Sequence, residues 1–424
     1  MLLFLSVFFA LVALSTPISI ALGITSVVMV LTQTDLKLMV VAQRMFTGID
    51  SFPLMAIPFF ILSGHLMNAG GTTQRLITFC NALVGFLRGG LANISIVGNM
   101  IMAGISGSSV ADASALGSII IPAMKKEGYD ADYTAAINAT ASTIGIIIPP
   151  SIPMILLGVV ASVSIRDLFI GGAVPGVVTG LVLMSISTYI AYKRGYPKHE
   201  RVSLVEALKL TFVCLPALFM PIAIVGGIVF GIFTPTEAAV IAVAYAMIVG
   251  FMIYRELTWT KTLQALYDTG VQTAVVLLVI ATASVISWLL AFNLIPQSLA
   301  ESVKAYDPSP TTLLAIIAVV CLITGTVIDV APAIILLGSV FAPIAFQLQI
   351  DPVHFGVLLV YGMAIGLFTP PVGTTLILSC YIAETTLFRS FKACLPFLVG
   401  MVAILAGLVF FKQFALFLPN LLFH

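Results

Sequence analysis

The sequence predicts an all-α polytopic membrane protein built from two inverted-topology repeats. Sixty per cent of its 424 residues are apolar and only 8% are charged, whereas a soluble domain usually has about 25% charged residues. Apolar stretches of about 20 residues, the length that a membrane-spanning helix requires, recur along the whole chain and suggest roughly ten to twelve crossings. In addition, several motifs occur twice at a nearly constant spacing.

Composition excludes several classes of protein. The net charge is +1, so nothing favours a nucleic-acid partner. The five cysteines lie in or beside apolar runs without CxxC spacing, which is typical of buried thiols. Histidines are too scattered for a metal site: His65, His199, His354 and His424. The apolar N-terminal segment lacks a basic leader and a small-residue cleavage site, so we expect it to belong to the mature protein.

Five motifs of the first half recur in the second half. Thr16-Pro17 recurs as Thr234-Pro235 and Ser106-Gly107 as Thr324-Gly325, both 218 positions later; Leu116–Met124 recurs as Leu337–Ala345, Ile144–Pro150 as Ile365–Pro371 and Pro175 as Pro396, all 221 positions later. A nearly constant shift over five motifs indicates an internal repeat. We therefore expect a first repeat over 1–205 and a second over 206–424, joined near the polar stretch 193–209.

Loop charges predict that the two repeats have opposite orientations. Short loops rich in Lys and Arg stay on the cytoplasmic side, and basic residues flank the first repeated segment: Arg75, Arg88, Lys125 and Lys126. The flanks of the second segment are poor in basic residues, with Glu301, Lys304 and Asp307 before it and Gln347, Gln349, Asp351 and His354 after it. Inverted repeats of this kind are the architecture of many secondary transporters.

Each repeat contains two elements that differ from simple spans. The runs 93–124 and 311–346 each have a polar, Gly-containing tip between two apolar arms of about 14 to 16 residues, short for a full crossing, and we interpret them as re-entrant hairpins. The runs 132–163 and 355–386 each contain a Pro-Pro pair. Because proline removes an N–H donor and clashes with the preceding turn, we expect these helices to break near 145–150 and 366–371.

Both hairpin tips contain a Ser/Thr-x-x-Asp pattern, Ser109 to Asp112 and Thr326 to Asp329. This spacing predicts a helix N-terminal capping box, in which side chains satisfy unpaired backbone N–H groups. Charged residues at membrane depth also usually face a cavity, and a helix N-terminus there attracts anions. The segment Thr234-Pro235-Thr236-Glu237 places Glu237 in the first turn of a helix, where a negative charge is favourable.

A broken helix frees backbone carbonyl oxygens, and the neighbouring tips are rich in hydroxyl groups. Such neutral oxygens suit a hard monovalent cation, so each hairpin with its broken helix predicts a sodium site, two in all. The alternative is that the proline pairs serve helix packing alone.

Other functional classes fit less well. Gly104–Gly107 reads GxSG, but an intramembrane serine hydrolase needs a general base, and His65 is the only histidine in an apolar run. An ATP-driven pump needs a GxxxxGK[ST] loop, which is missing from the sequence. A passive channel is less favoured because inverted repeats with re-entrant tips are typical of alternating access. We therefore expect a transporter and not an enzyme.

Motifs along essentially the whole chain resemble the large membrane subunit of tripartite ATP-independent periplasmic (TRAP) transporters. They are SGSSVADASALGS at 106–118, IIIPPS at 146–151, GIFTPTEAA at 231–239 and GLFTPPVG at 366–373. The resemblance implies an elevator-type fold that carries out sodium symport of an organic acid across the bacterial inner membrane. It also implies a small membrane subunit, a periplasmic substrate-binding protein and contact with membrane lipid.

The resemblance also implies site residues. The first sodium site would use Ser106, Ser108, Gly145, Ile148 and Pro150, and the second Thr324, Thr326, Gly366, Thr369 and Pro371. The substrate would lie between the tips, near Asp112, Asn138, Ser142, Asp329 and Thr374. The second tip, IDVAPAIILLGS at 328–339, is similar to the sialic-acid branch of the family; a C4-dicarboxylate or another carboxylate is the alternative substrate.

Overall fold

The computed structural model describes residues 2–14, 16–306 and 308–423. Every regular element in this part of the chain is a helix, which confirms the all-α class. The helices are α1 Leu2–Ala13, α2 Ile18–Gln33, α3 Met39–Ile49, α4 Ala56–Ala69, α5 Thr72–Val84, α6 Gly90–Ser106, α7 Ser109–Lys126, α8 Ala131–Ser142, α9 Ile152–Ala161, α10 Ile165–Arg194, α11 Leu204–Val229, α12 Pro235–Ile248, α13 Trp259–Phe292, α14 Ile295–Ala305, α15 Pro310–Val327, α16 Val330–Gln347, α17 Pro352–Gly366, α18 Thr374–Ala383, α19 Leu387–Phe410 and α20 Gln413–Phe423. Asp307 and His424, named above for their charge or ring, lie outside the described residues.

Eight helical segments of the described chain are long and apolar enough to cross a membrane. They are α4 with the 3₁₀ turn before it, α10, α11, α12 with the π-helical turn after it, α13, α15, α16 and α19. Further crossings would have to come from shorter helices joined end to end, such as α8 with α9 and α17 with α18. The sequence estimate of ten to twelve crossings stays a prediction, as do the membrane orientation and the division of the chain at 205/206.

The two predicted hairpins are present, with arms longer than expected. Helices α6 and α7 form the first hairpin and α15 and α16 the second, with 17 residues in α6 and 18 in each of the other arms. At 1.5 Å per residue an arm measures about 26 Å, close to the ~30 Å of a hydrocarbon core. Arm length alone therefore does not decide whether the tips stop inside the membrane, and that part of the interpretation stays a prediction.

Both helix breaks fall where the proline pairs predicted them. Helix α8 ends at Ser142, a 3₁₀ turn covers Thr143–Ile146, and α9 begins only at Ile152. In the second half α17 ends at Gly366 and α18 begins at Thr374. The backbone of the first break is almost entirely buried, whereas that of the second is only partly buried, with Pro371 exposed. Non-helical backbone inside a membrane must be buried in protein or line a wet cavity.

The halves of the chain interlock at these elements. Helix α18 of the second half packs against α7 and α8 of the first, and α9 packs against α16. The Asn138 side chain on α8 donates a hydrogen bond to Ser379 on α18 at 2.9 Å. The Thr375 hydroxyl, also on α18, lies 3.2 Å from the Ala139 carbonyl oxygen. The hairpins and broken helices therefore form one packed unit, which we call the tip unit, and α4 and α13 lie against it.

Candidate functional site

The first hairpin tip rests directly on the first helix break. Gly107, between α6 and α7, has a φ of +62°, and a Cβ at this position would lie 2.8 Å from the Pro150 carbonyl oxygen. The Ile152 N–H donates to the Gly107 carbonyl at 3.3 Å. Only glycine combines this left-handed backbone with such a close approach. The tip is thereby fixed at the depth of the break.

Asp112 does not cap α7, so the capping prediction for this residue is wrong. Ser108 is the N-cap, because its hydroxyl accepts the Ala111 N–H at 3.5 Å. Asp112 lies one turn further on and is fully buried. Its Oδ1 accepts a hydrogen bond from the Ser106 hydroxyl at 2.6 Å. Its Oδ2 has no hydrogen-bond partner among the described residues and faces Gly145, where a Cβ would lie 2.5 Å away.

The second tip meets its break through backbone. A Cβ on Gly325 would lie 3.1 Å from the Gly366 Cα, and the Val372 N–H donates to the Thr326 carbonyl at 3.0 Å. Asp329 is the N-cap residue of α16, but its side chain makes no capping hydrogen bond. The capping-box prediction is therefore wrong here as well. At α12, in contrast, Glu237 lies in the first helical turn as the sequence predicts, and it forms a capping box with Thr234 that was not predicted.

The oxygen atoms at the breaks fit a monovalent cation. No backbone N–H of the described chain hydrogen-bonds to the carbonyl oxygens of Ile148, Pro150, Thr369 or Pro371. The Thr326 and Thr369 hydroxyls donate to carbonyls of their own helices at 2.8 and 2.7 Å, which leaves their oxygen lone pairs free. The described residues contain no cluster of three or more His, Cys, Asp or Glu that could hold a metal ion. Unwound backbone carbonyls of this kind coordinate Na⁺ in transporters.

The structure therefore brings most of the predicted sodium ligands together. Ser106, Ser108, Gly145 and Pro150 meet at the first tip–break contact, and Thr326, Gly366, Thr369 and Pro371 lie at the second. Two residues are less available. The Thr324 carbonyl already accepts the Ile328 N–H at 2.8 Å, and the Ile148 side chain packs against Gly176 on α10, so Ile148 offers only its carbonyl oxygen.

A cavity of about 100 Å³ lies between the two tips. We call it the inter-tip cavity; its lining includes 107–110 of the first tip, 329–331 of the second, and Ile146 and Leu367 from the breaks. Gln272 and Val276 of α13 and Ile61 of α4 line it from outside the tip unit, and α9 contributes Ile152, Pro153 and Leu156. Its position agrees with the substrate position expected between the tips.

A second cavity of about 250 Å³ lies between α4 and α7, and we call it the α4–α7 cavity. Ser106, Ser108 and Asp112 line it from the hairpin, while His65 on α4 and Gln272 on α13 line it from the opposite side. The His65 Nε2 and the Gln272 Oε1 are 3.1 Å apart. The sequence patterns did not predict that these two residues would pair. The available signal was a polar side chain inside an apolar span.

The five predicted substrate residues fall into two groups. Asp112 and Asp329 line the cavities. Asn138 instead joins α8 to α7 and α18, with its Nδ2 3.0 Å from the Ala113 carbonyl. The Ser142 hydroxyl donates to the Ala139 carbonyl of its own helix. The Thr374 hydroxyl is buried without a hydrogen-bond partner in the described chain. The roles of all five in substrate binding stay predictions.

Comparison with known proteins identifies the family. Residues 5–414 match the family described as "Tripartite ATP-independent periplasmic transporter, DctM component". The chain belongs to this family. It is 38% identical to the sialic acid TRAP transporter large permease protein SiaM of Vibrio cholerae, over 90% of this chain and 89% of that protein. It is 37% identical to the C4-dicarboxylate TRAP transporter large permease protein DctM of Pseudomonas aeruginosa, over 94% of each.

A solved structure shares the fold at low sequence identity. The YdaH transporter of Alcanivorax borkumensis superposes with a TM-score of 0.62 at 15% identity, covering 88% of both chains. The TRAP relatives are named as transporter permeases, so this chain is a multi-pass transporter component and not an enzyme. The side chains agree, because the Ser106 hydroxyl donates to Asp112 while His65 pairs with Gln272. The hydrolase alternative is therefore wrong.

Proposed function

We propose that this chain is the large membrane subunit of a sodium-coupled importer of a small organic acid in the bacterial inner membrane. One observation carries the proposal: two hairpin tips each press on a helix break that leaves carbonyl oxygens unpartnered. A sodium ion at each contact would neutralise these dipoles and join tip to break. As a TRAP component, the subunit would work with a small membrane subunit and a periplasmic substrate-binding protein.

An elevator movement of the tip unit agrees with how the cavities are built. Both cavities have one wall from the tip unit and another from α4 and α13. The contact between them is close, because a Cβ on Gly64 of α4 would lie 3.4 Å from the Ser106 Cα. Sliding of the tip unit past α4 and α13 would carry a substrate held between the tips while the packing inside the unit stays intact. A passive channel would not need a tip unit that slides against a separate pair of helices.

For the substrate we propose sialic acid, on the strength of the tip sequence at 328–339. Relatives named for sialic acid, C4-dicarboxylates and isethionate are 37 to 38% identical to this chain, which supports an organic acid as the class. A C4-dicarboxylate is the second candidate. The two tip helices, α7 and α16, begin at the inter-tip cavity, and helix N-termini stabilise carboxylates.

The test is transport in liposomes that contain this chain and its small subunit. The cognate binding protein is added outside with radiolabelled sialic acid, and uptake is recorded with and without an inward sodium gradient. We expect uptake that requires both the gradient and the binding protein. Sodium-driven uptake of a C4-dicarboxylate alone would replace the substrate and keep the mechanism. Uptake of either acid at equal rates without sodium would overturn the proposal.

A further inference from the structure

Two polar side chains face the tips from helices outside the tip unit. His65 lies in α4 and Gln272 in α13, a helix of 34 residues, and both helices have the hydropathy of membrane spans. Placing such groups inside a span costs free energy unless they bond to partners or serve a function. Neither residue lies in a hairpin or a broken helix, so the sodium sites do not explain them.

Their hydrogen bond leaves donors free for a ligand. The Gln272 Oε1, 3.1 Å from the His65 Nε2, can only accept, so the imidazole donates through Nε2–H. The Gln272 amide nitrogen keeps both of its N–H groups, and no residue of the described chain lies within hydrogen-bond distance of it. His65 thus fixes the orientation of the amide, and the amide presents two donors.

Gln272 occupies the junction of the two cavities. It lines both the inter-tip cavity and the α4–α7 cavity, a position that it shares only with Ile61 and Ser108 among the described lining residues. Asp112, with one carboxylate oxygen lacking a hydrogen-bond partner, lines the α4–α7 cavity as well. A small molecule held between the tips would therefore have Gln272 on one side and the tip hydroxyls on the other.

The cavities lack a cationic side chain. No Lys or Arg is found among the described residues that line either of them. An organic acid bound there would need neutral N–H or O–H donors for its carboxylate or hydroxyl oxygens, because ionised carboxylates at Asp112 and Asp329 only accept and each tip serine offers a single O–H. The two N–H groups of Gln272 meet that requirement.

We propose that His65 and Gln272 form a substrate-recognition pair, in which Gln272 donates a hydrogen bond to a carboxylate or hydroxyl oxygen of the organic acid and His65 positions the amide. The pair lies outside the tip unit, so a substrate between the tips meets these donors when the unit stands at the level described here. The inference rests on the proposed import of an organic acid and adds to it a contact that selects the substrate.

The test compares Gln272→Met with Gln264→Met. Methionine has nearly the length of glutamine but has no N–H donor, and Gln264 lies on the same helix, exposed and bonded to Asp268 at 2.9 Å. In the liposome assay we expect Gln272→Met to raise the half-saturating concentration of sialic acid about tenfold, the effect of losing one hydrogen bond to a charged group. The half-saturating sodium concentration and the maximal rate should stay near wild type, and Gln264→Met should match wild type throughout.

Two further variants keep the proposal falsifiable. Gln272→Glu keeps the shape but presents an anion. It should therefore raise the half-saturating substrate concentration more than Gln272→Met does. If Gln272→Met fails to accumulate in the membrane, the comparison is made between Gln272→Glu and Gln264→Glu. Wild-type half-saturation in Gln272→Met and Gln272→Glu, or a loss of maximal rate alone, would overturn the proposal. Wild-type uptake without sodium would refute the proposed coupling separately, because the substrate half-saturation of the variants can still be compared.

Discussion

The two tip–break contacts share a topology and differ in chemistry. At the first, backbone contact of Gly107 with Pro150 and Ile152 is joined by side chains: Ser106 donates to a fully buried Asp112, whose other oxygen faces Gly145. At the second, backbone meets backbone, with Gly325 against Gly366, and Asp329 is only partly buried at the N-cap of α16. An internal repeat thus preserves the shape of a site more strictly than its charges. The first contact combines close packing with the electrostatics of a buried carboxyl group, and the second depends on close packing alone.

The largest expected difference concerns the glycines. A Cβ on Gly366 would overlap the backbone of Gly325, which cannot move aside, so Gly366→Ala should lower stability by about 3 kcal/mol. A Cβ on Gly145 would meet the end of the Asp112 side chain, which can shift, so Gly145→Ala should lower stability by about 1 kcal/mol. Gly270→Ala is the control, because nothing lies within 4 Å of its Cβ position. Thermal unfolding in detergent gives the ranking, and equal losses for Gly366 and Gly145 would contradict the distinction.

The next difference concerns the two carboxylates. Asp112→Asn and Asp329→Asn keep the shape and remove the ionisable carboxyl group. We expect the half-saturating sodium concentration to rise about tenfold for Asp112→Asn and only about threefold for Asp329→Asn, because a fully buried charge is less screened by water. Uptake against sodium concentration measures both. A larger shift for Asp329→Asn would assign the stronger electrostatic role to the second tip.

Removing a hydroxyl group should lower stability more at the first tip–break contact than at the second. Ser106→Ala leaves the buried Asp112 without its hydrogen bond and should lower stability by about 2 kcal/mol. Thr326→Val removes a hydroxyl that bonds only to the Ile323 carbonyl of its own helix, so the loss should stay below about 0.5 kcal/mol. Thermal unfolding of the two variants at one pH is sufficient. A similar loss in both would mean that the Ser106–Asp112 bond adds nothing special to the first contact.

The smallest effect is expected at the ion pair that joins the end of α7 to the residue after α18. Lys125, near the end of α7, pairs with Glu384 after α18 at 2.9 Å, and this hydrogen bond and charge hold the pKa of Glu384 below its usual range. A lowered carboxyl pKa stabilises the fold above the usual carboxylate range, and the contribution disappears as the pH falls through the folded-state value. Lys125→Ala should therefore lower the unfolding temperature more at pH 7 than at acid pH, where only the Lys125 hydrogen bond to the Ala383 carbonyl at 3.0 Å is lost. A difference that grows on acidification would contradict this sign.

The sequence predicted the elements that local chemistry dictates. The proline pairs at 149–150 and 370–371 located both helix breaks, and the polar tips located both hairpins within a few residues. The capping boxes at the tips were wrong because the left-handed Gly107 ends α6 and makes Ser108, one residue before the expected cap, the start of α7. A spacing pattern alone does not show where such a left-handed turn ends one helix and begins the next.

Local sequence patterns could not predict contacts between residues that are far apart in the chain. His65 and Gln272 are 207 positions apart on helices outside the recognised repeat motifs, so no spacing joins them. Asn138 holds α7, α8 and α18 together, because the halves interlock and its amide meets Ser379, 241 positions away; its expected role at the substrate stays a prediction. Packing between the repeats decides which polar residues face a cavity and which join helices.

Equilibrium binding of radioactive sodium to the purified complex is the most direct measurement of the two-site proposal. We expect two sodium ions per chain in wild type, and a single ion when Thr326→Val and Thr369→Val together remove the hydroxyl ligands of the second contact. The variant should remain folded, because both hydroxyls bond only to their own helices. Wild-type protein that binds no sodium, or a folded double variant that still binds two ions with wild-type affinity, would contradict the proposal that the tip–break contacts are the sodium sites.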